Sequence, residues 1–101
     1  MKIGIIVFSY TGHTLAVAER IREALESKGH KASIEKLDVT YEKPNSHRKF
    51  KLGRLPETEN YDFLIFGGPV WEFSLSAPFK EYLERLPDLK GKKAGCFITQ
   101  L

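Results

Sequence analysis

The chain has 101 residues and a formal net charge of +3, with 42% hydrophobic and 29% charged side chains. These values predict one globular domain, residues 1–101, and exclude a disordered or fibrous chain. The single cysteine, Cys96, excludes an internal disulfide and favours a reducing, cytoplasmic setting. It lies in an apolar run, where we expect it to pack. The short apolar stretch at the N-terminus predicts neither a signal peptide nor a membrane span.

A hydroxyl-rich turn joins the first predicted strand to the first predicted helix. Residues 2–8 are apolar on both faces, which is typical of a central parallel strand. Residues 12–28 have helical spacing of apolar side chains and stop before Gly29. A helix start offers unpaired N–H groups and a positive dipole end to an anion, and three hydroxyls around a glycine exceed what helix capping needs. We therefore predict a phosphate site formed by Ser9, Tyr10, Thr11, Gly12, His13 and Thr14. The His13 side chain would lie either beside the phosphate or in solvent.

The middle of the chain carries weaker signals. Residues 31–37 alternate apolar and polar side chains, which predicts an edge strand. Residues 39–60 form a long polar connection with two prolines, in which we expect at most one short helical turn. Its basic run, residues 47–54 with four formal positive charges, allows either a solvated surface or a contact with an anion.

The C-terminal part of the chain predicts two more strands with a helix between them. Residues 61–66 are continuously apolar, and the Gly-Gly-Pro sequence at 67–69 should end that strand and open a loop with large aromatics. A helix should begin at residues 76–77, with a proline in its first turn, and close at Pro87. Its buried stripe should comprise Phe79, Tyr82, Leu83 and Leu86. Residues 93–99 predict the final strand, so the alternation indicates an α/β fold with a doubly wound parallel sheet.

Several common site patterns are absent from the sequence. It has no GxGxxG pattern after the first strand, no P-loop, and no His, Cys, Asp or Glu residues at metal-ligand spacing. The histidines are scattered, and no nucleophile can be matched with a base. We therefore predict neither catalytic residues nor a metal site.

Two segments resemble the flavin-binding loops of the flavodoxin family. Residues 9–14 look like that family's phosphate loop, and residues 67–71 resemble its first flavin-contacting loop. Residues 73–79 are similar to the helix entry of flavodoxin-like quinone reductases, so the resemblance covers essentially the whole chain. It implies FMN at the carboxyl ends of the strands, with residues 9–14 on the phosphate and Gly68 beside flavin N5. Trp71 would stack on the ring unless it is an ordinary core or surface aromatic. The ring contacts implied are Gly68, Pro69, Val70 and Trp71.

The resemblance also implies a sheet order. The family has five strands in the order 2-1-3-4-5, of which this chain accounts for four in the order 2-1-3-4. The sequence stops at Leu101, where the second flavin loop should begin, so we expect a fold without the usual last strand and helices, or a segment of a longer protein. Strands three and four would then be partly bare on the first helix's face, and strand four would be an open edge. Such surfaces favour association, so we expect a homodimer or a higher oligomer.

The favoured interpretation is an FMN-binding protein for electron transfer or flavin-dependent redox chemistry, with a redox partner protein or a small-molecule electron acceptor. Electron-shuttling flavodoxins are usually acidic, whereas this chain is basic, which favours an acidic partner or a reduced nicotinamide nucleotide. Two alternatives stay open. One is a non-enzymatic flavodoxin-like remnant that binds FMN weakly or only phosphate and acts through association; the other is an NAD(P)H-dependent quinone or flavin reductase. Nucleic-acid binding is disfavoured, because Phe50 is the one aromatic residue within the basic run.

Overall fold

The computed structural model describes most of the chain as strands and helices. The described residues are 1–8, 12–41, 50–53, 55–56, 58–71, 74–75, 77–86 and 92–99. The helices are α1 (His13–Ser27) and α2 (Ala77–Glu84). The strands are β1 (Lys2–Val7), β2 (Lys31–Lys36), β3 (Val39–Tyr41), β4 (Phe50–Leu52), β5 (Phe63–Trp71), β6 (Ser74–Leu75) and β7 (Lys93–Thr99).

Four parallel strands form the central sheet in the order β2-β1-β5-β7. Ile5 of β1 lies opposite Ile34 of β2 on one side and Ile65 of β5 on the other. β1 is buried over five of its six residues because it has neighbours on both edges and helices on both faces. β2 is half-buried or exposed along its length, as expected of an edge strand. The predicted α/β fold and the order 2-1-3-4, counted over the parallel strands, are confirmed.

The two helices cover opposite faces of the sheet, and each face has its own core. Alternate residues of a strand point to opposite faces, so β1 contributes to both cores. The core beneath α1 contains the buried residues Ile3, Ile5, Val7 and Ala18. The core beneath α2 contains the buried residues Ile6, Phe8, Leu37, Leu64, Phe66, Phe79 and Tyr82.

β5 is longer than the sequence predicts. It continues through Gly67, Gly68 and Pro69 to Trp71, so the predicted end of this strand at residue 66 is wrong. The strand continues through both glycines, because aromatic rings pack in the space that their side chains would otherwise occupy. A Cβ on Gly67 would overlap the Phe97 ring, and a Cβ on Gly68 would overlap the Phe79 ring.

The predicted aromatic loop after residue 69 is also partly a strand. Val70 and Trp71, at the end of β5, pair antiparallel with β6, where Val70 lies opposite Leu75 and Trp71 opposite Ser74. α2 begins at Ala77, where the helix start was predicted. The predicted closure of this helix at Pro87 lies outside the described residues.

The long connection contains a short β-hairpin, which the sequence did not predict. β3 pairs antiparallel with β4, with Val39 opposite Leu52, and the Gly53 N–H donates to the Asp38 carbonyl at 2.7 Å. Val39, Leu52 and Leu55 pack against the core beneath α2. No helix occurs in the described residues between β2 and β5. Residues 42–49 and 54, which hold most of the basic run, lie outside the described residues.

β7 is more exposed than its apolar sequence suggests. On the face of α1, Phe63, Ile65 and Phe97 are half-buried, in keeping with the expected partly bare surface. On the opposite face, the exposed residues are Ala94, Cys96 and Ile98. Ile98 keeps 53% of its surface. The prediction that Cys96 packs is wrong, because its side chain is exposed. Among the described residues, the core beneath α2 includes side chains of β1 and β5 but none of β7. Within the described part of the chain, β7 pairs with β5 alone.

Tyr82 places a hydroxyl in the core beneath α2. Its side chain is 1% exposed, and the hydroxyl has no hydrogen-bond partner within the described residues. Burial, and to a lesser extent the Glu35 carboxylate, raise the pKa of the Tyr82 hydroxyl to about 12. The same carboxylate accepts a hydrogen bond from the Tyr61 hydroxyl at 3.0 Å. The folded protein therefore favours the neutral form of Tyr82.

We expect the free energy of unfolding of the Tyr82→Phe variant to fall less at alkaline pH than that of the wild type. An unfolded tyrosine has a pKa near 10, so the stability linked to Tyr82 is complete below pH 10 and is lost as the pH rises towards 12. Between pH 9 and pH 12 the wild type should lose on the order of 3 kcal/mol relative to the variant in urea unfolding. At pH 7 the variant should be as stable as the wild type or slightly more stable, since it loses no hydrogen bond.

Tyr61→Phe is the matched control for this change. It removes a hydroxyl that does have a partner, so it should cost about 0.5–1.5 kcal/mol at pH 7. If Tyr82→Phe costs as much at pH 7 and leaves the alkaline loss in place, the Tyr82 hydroxyl is not the isolated buried group described above.

Candidate functional site

The carboxyl ends of β1, β5 and β7 lie at one edge of the sheet, and both predicted binding segments begin there. The Phe8 N–H donates to the Gly67 carbonyl at 3.0 Å, so the end of β1 is bonded to the start of the Gly-Gly-Pro segment. Parallel strands bring their carboxyl ends to the same edge, where open α/β sheets bind ligands. The structure therefore brings together the start of α1 and the second half of β5.

Gly12 turns the chain into α1. It is the N-cap residue, with φ of 89°, a left-handed conformation that costs other residues roughly 1–2 kcal/mol. Its carbonyl accepts the Ala16 N–H at 3.0 Å. A Cβ on Gly12 would meet no atom of the described residues within 4 Å. The left-handed backbone conformation is therefore what calls for glycine here.

Thr14 and Thr99 connect α1 to the end of β7. Thr14 is 2% exposed, and its Oγ1 lies 2.8 Å from the Thr99 Oγ1 in a hydrogen bond in which either hydroxyl is a possible donor. Thr99 lies opposite Pro69 in the pairing of β5 with β7. Thr99 thus adjoins both predicted segments. The sequence did not predict a role for Thr99, because a threonine at a strand end gives no sign of a hydrogen-bond partner 85 residues away.

The other predicted site residues are described to different extents. His13 is the first residue of α1 and is exposed. Gly68 and Pro69 are buried within β5. The backbones of Val70 and Trp71 belong to β5, but their side chains fall outside the description. Ser9, Tyr10 and Thr11 lie outside the described residues altogether, so their predicted contacts stay predictions.

Gly68 has a structural role whether or not a ligand binds. The Phe79 ring, which is fully buried, lies directly against its Cα. On the other face of the same strand, the Phe97 ring lies against Gly67. The Phe79 and Phe97 rings thus pack on consecutive residues of β5 from opposite faces of the sheet, and together they hold this part of the strand in place.

The described residues contain neither a metal-binding cluster nor a membrane-spanning helix. No group of three or more His, Cys, Asp or Glu side chains there could hold a metal ion. Neither described helix is long and apolar enough to cross a membrane.

Comparison with known proteins identifies relatives of the fold. Protoplast secreted protein 2 of Saccharomyces cerevisiae is 27% identical over 114 residues, covering 97% of this chain and 56% of that protein. A flavodoxin from the domain Archaea superposes with a TM-score of 0.72 at 19% identity, covering 99% of this chain and 63% of that one. Oxidised Flavodoxin 2 from Bacillus cereus superposes with a TM-score of 0.72 at 21% identity, covering 99% and 62%. No protein-family profile matches the chain.

These likenesses show that the chain has a flavodoxin-like fold. The chain spans between 56% and 63% of the length of these three proteins. A structural match at such low identity establishes architecture, whereas function depends on the residues of the site. Any activity of this chain therefore has to be argued from its own residues at the carboxyl edge of the sheet.

We expect Gly68→Ala to destabilise the protein through overpacking against Phe79. The added methyl group enters the space of a fully buried ring that has no room to move aside, which should cost about 1–3 kcal/mol in urea unfolding. Gly95→Ala is the matched control on the neighbouring strand, because its Cβ would lie 3.8 Å from the Phe63 ring, an ordinary contact. The control should change stability by less than about 0.5 kcal/mol or raise it slightly. Equal stabilities of the two variants would contradict this account of β5.

Proposed function

We propose that the chain binds FMN and serves electron transfer or flavin-dependent redox chemistry. The observation that carries the proposal is the meeting of the start of α1 with residues 68–71 at the carboxyl edge of a flavodoxin-like sheet. The Thr14–Thr99 hydrogen bond and the pairing of Thr99 with Pro69 join these two segments. Proteins with the same fold are flavodoxins, and from that likeness we take FMN as the ligand.

The start of α1 has properties that suit a phosphate group. No atom of the described residues crowds the position of a Cβ on Gly12, and the first turn of α1 contains no acidic residue. The positive end of the helix dipole is therefore not offset by a carboxylate in that turn. We propose that the phosphate is held by backbone N–H groups and hydroxyls of Ser9, Tyr10, Thr11, Gly12, His13 and Thr14.

The end of β5 has properties that suit one side of a flavin ring. Gly68 and Pro69 are buried, and the Phe79 ring packs directly on Gly68, so the backbone that leads to Val70 and Trp71 is held by the core. We propose that Gly68 lies beside flavin N5 and that Val70 and Trp71 lie along the ring, with Trp71 as the stacking surface. When bound, FMN supplies the redox chemistry, and the protein orients it and tunes its potential.

A redox partner protein or a small-molecule electron acceptor would complete the reaction. The net charge of +3 favours an acidic partner or a reduced nicotinamide nucleotide over a basic partner. The single cysteine accords with a reducing, cytoplasmic setting, which we include in the proposal.

FMN binding can be tested by titration of the purified chain with FMN and with riboflavin, which lacks the phosphate. We expect FMN to be retained through desalting and to bind at least tenfold more tightly than riboflavin, since hydrogen bonds to a charged group contribute about 1.5–3 kcal/mol each. Bleaching of the bound flavin by NADPH would favour the reductase alternative. A folded chain that retains neither flavin would refute the proposal, and binding of inorganic phosphate alone would favour the non-enzymatic alternative.

Two glycines at opposite ends of α1 provide a matched pair for the same titration. Gly12 and Gly29 have φ of 89° and 88°, and a Cβ on either would meet no atom within 4 Å among the residues that the structure describes. Both alanine variants should lose about 1–2 kcal/mol of stability. Only Gly12→Ala should weaken FMN binding, by about three- to tenfold, because only Gly12 adjoins the proposed phosphate site. Equal FMN affinities of the two variants would place the phosphate elsewhere.

We also propose that copies of the chain associate through β7. The strand is an open edge in the described part of the chain, and its exposed face carries Cys96 and Ile98. Of its seven residues only Lys93 is charged, whereas edge strands that stay unpaired are usually guarded by charges, prolines or bulges. An apolar edge of this kind is stabilised by pairing with a second copy.

Light scattering after gel filtration tests this association. The wild type should be a dimer or a larger oligomer, and Ile98→Lys should shift it to the monomer because a charge on the exposed face opposes burial. Ser33→Lys places the same charge on an exposed position of β2, at the other edge of the sheet, and should leave the assembly unchanged. A stable wild-type monomer at 100 micromolar, about the upper range of such measurements, would contradict association through β7.

A further inference from the structure

Thr14 and Thr99 form a hydrogen bond between the start of α1 and the end of β7. Thr14 is the second residue of α1 and is almost fully buried, and Thr99 is the half-buried last residue of β7. Their Oγ1 atoms lie 2.8 Å apart across 85 residues of sequence. A valine would fill the volume of Thr14 without a polar atom, so a buried hydroxyl with a hydroxyl partner at this position calls for an explanation.

We propose that Thr99 is a positioning residue for the phosphate end of the site and acts through Thr14. This role presupposes the FMN site proposed above and adds to it a residue outside the predicted binding segments. In the bound state the Thr99 hydroxyl donates its proton to the Thr14 Oγ1. The Thr14 hydroxyl is then left with its own proton to donate to a phosphate oxygen.

The direction of the hydrogen bond follows from what a hydroxyl can do. Each threonine hydroxyl has one proton to donate and two lone pairs to accept with. If Thr14 donated to Thr99, it would present only lone pairs to its other neighbours, and these repel an anion. When Thr99 donates instead, Thr14 both accepts and donates, and the two bonds in series strengthen one another. A phosphate beside the start of α1 therefore selects the direction in which Thr99 is the donor.

The packing around Thr99 keeps its hydroxyl in place. Two residues earlier, the ring of Phe97 is seated against Gly67, and Thr99 itself is paired with Pro69. The end of β7 is thus fixed against β5, which is bonded in turn to the end of β1. Because Thr14 is 2% exposed, water cannot readily replace Thr99 as its partner.

The test compares Thr99→Val with Thr99→Ser in titrations with FMN and riboflavin. Thr99→Val keeps the shape of the side chain and removes the hydroxyl. It should weaken FMN binding about tenfold and change riboflavin binding less than twofold, since only FMN carries the phosphate. Thr99→Ser keeps the hydroxyl and should restore FMN binding to within about threefold of the wild type. If Thr99 had a purely structural role, Thr99→Val would weaken the binding of FMN and of riboflavin equally.

The double variant Thr14→Val/Thr99→Val tests whether Thr99 acts through Thr14. If it does, Thr99→Val should have no further effect on FMN affinity in a chain that already lacks the Thr14 hydroxyl, so the two effects should not add. Additive losses would overturn the proposal, as would equal losses for FMN and riboflavin or no loss at all.

If the FMN proposal itself fails, the wild type retains no flavin. The same variants are then compared by the increase in melting temperature that inorganic phosphate gives. A stabilisation that Thr99→Val loses and Thr99→Ser keeps would support Thr99 as a positioning residue for an anion without FMN. No stabilisation of the wild type by phosphate would overturn both proposals.

Discussion

The structure depends on aromatic rings that pack directly on the glycine backbone of the central strands. The Tyr61 ring lies over Gly4 of β1, with a Cβ there only 2.6 Å from the ring. The Phe97 and Phe79 rings lie over Gly67 and Gly68 in the same way. Each ring lies closer to the strand backbone than it could if the glycine were replaced by a residue with a side chain. The three rings come from different parts of the chain. These glycine contacts therefore connect α2 and β7 closely to the central strands.

The same contacts determine the form of the candidate site. Because Phe79 packs on Gly68 from the face of α2, β5 continues past residue 66 and carries Val70 and Trp71 out beyond the edge of the sheet. Because Phe97 packs on Gly67 from the face of α1, the end of β7 lies close enough to α1 for Thr99 to bond with Thr14. The start of α1 and the second half of β5 thus meet because the Phe79 and Phe97 rings, which lie outside both resembling segments, pack on Gly67 and Gly68.

Strong hydrophobic periodicity made most of the fold predictable from sequence. The bounds of β7 were predicted to the residue, and those of α1 to within one residue, because apolar spacing and a following glycine or polar residue mark them clearly. The Gly-Gly-Pro segment was misread because locally it has the composition of a turn, whereas rings from distant parts of the chain make it a strand.

Other features gave no local signal. The β3–β4 hairpin has only three residues in each strand, too few for a period to be recognised. Motif resemblance predicts binding segments at 9–14 and 67–71, but it gives no indication of Thr99, which is bonded to Thr14 and paired with Pro69. Thr99 depends on the register of two strands and on the position of a helix, and neither can be read from the residues around it.

The register of β7 against β5 connects the site to the exposed edge. Alternate residues of β7 serve opposite faces, so Phe97 and Thr99 face α1 while Cys96 and Ile98 remain exposed on the other face. A shift by one residue would exchange these two sets completely. The ring of Phe97 against Gly67 opposes such a shift, because only a residue without a side chain leaves room for it. The packing of Phe97 on Gly67 therefore keeps Thr99 beside Thr14 and at the same time leaves Cys96 and Ile98 exposed.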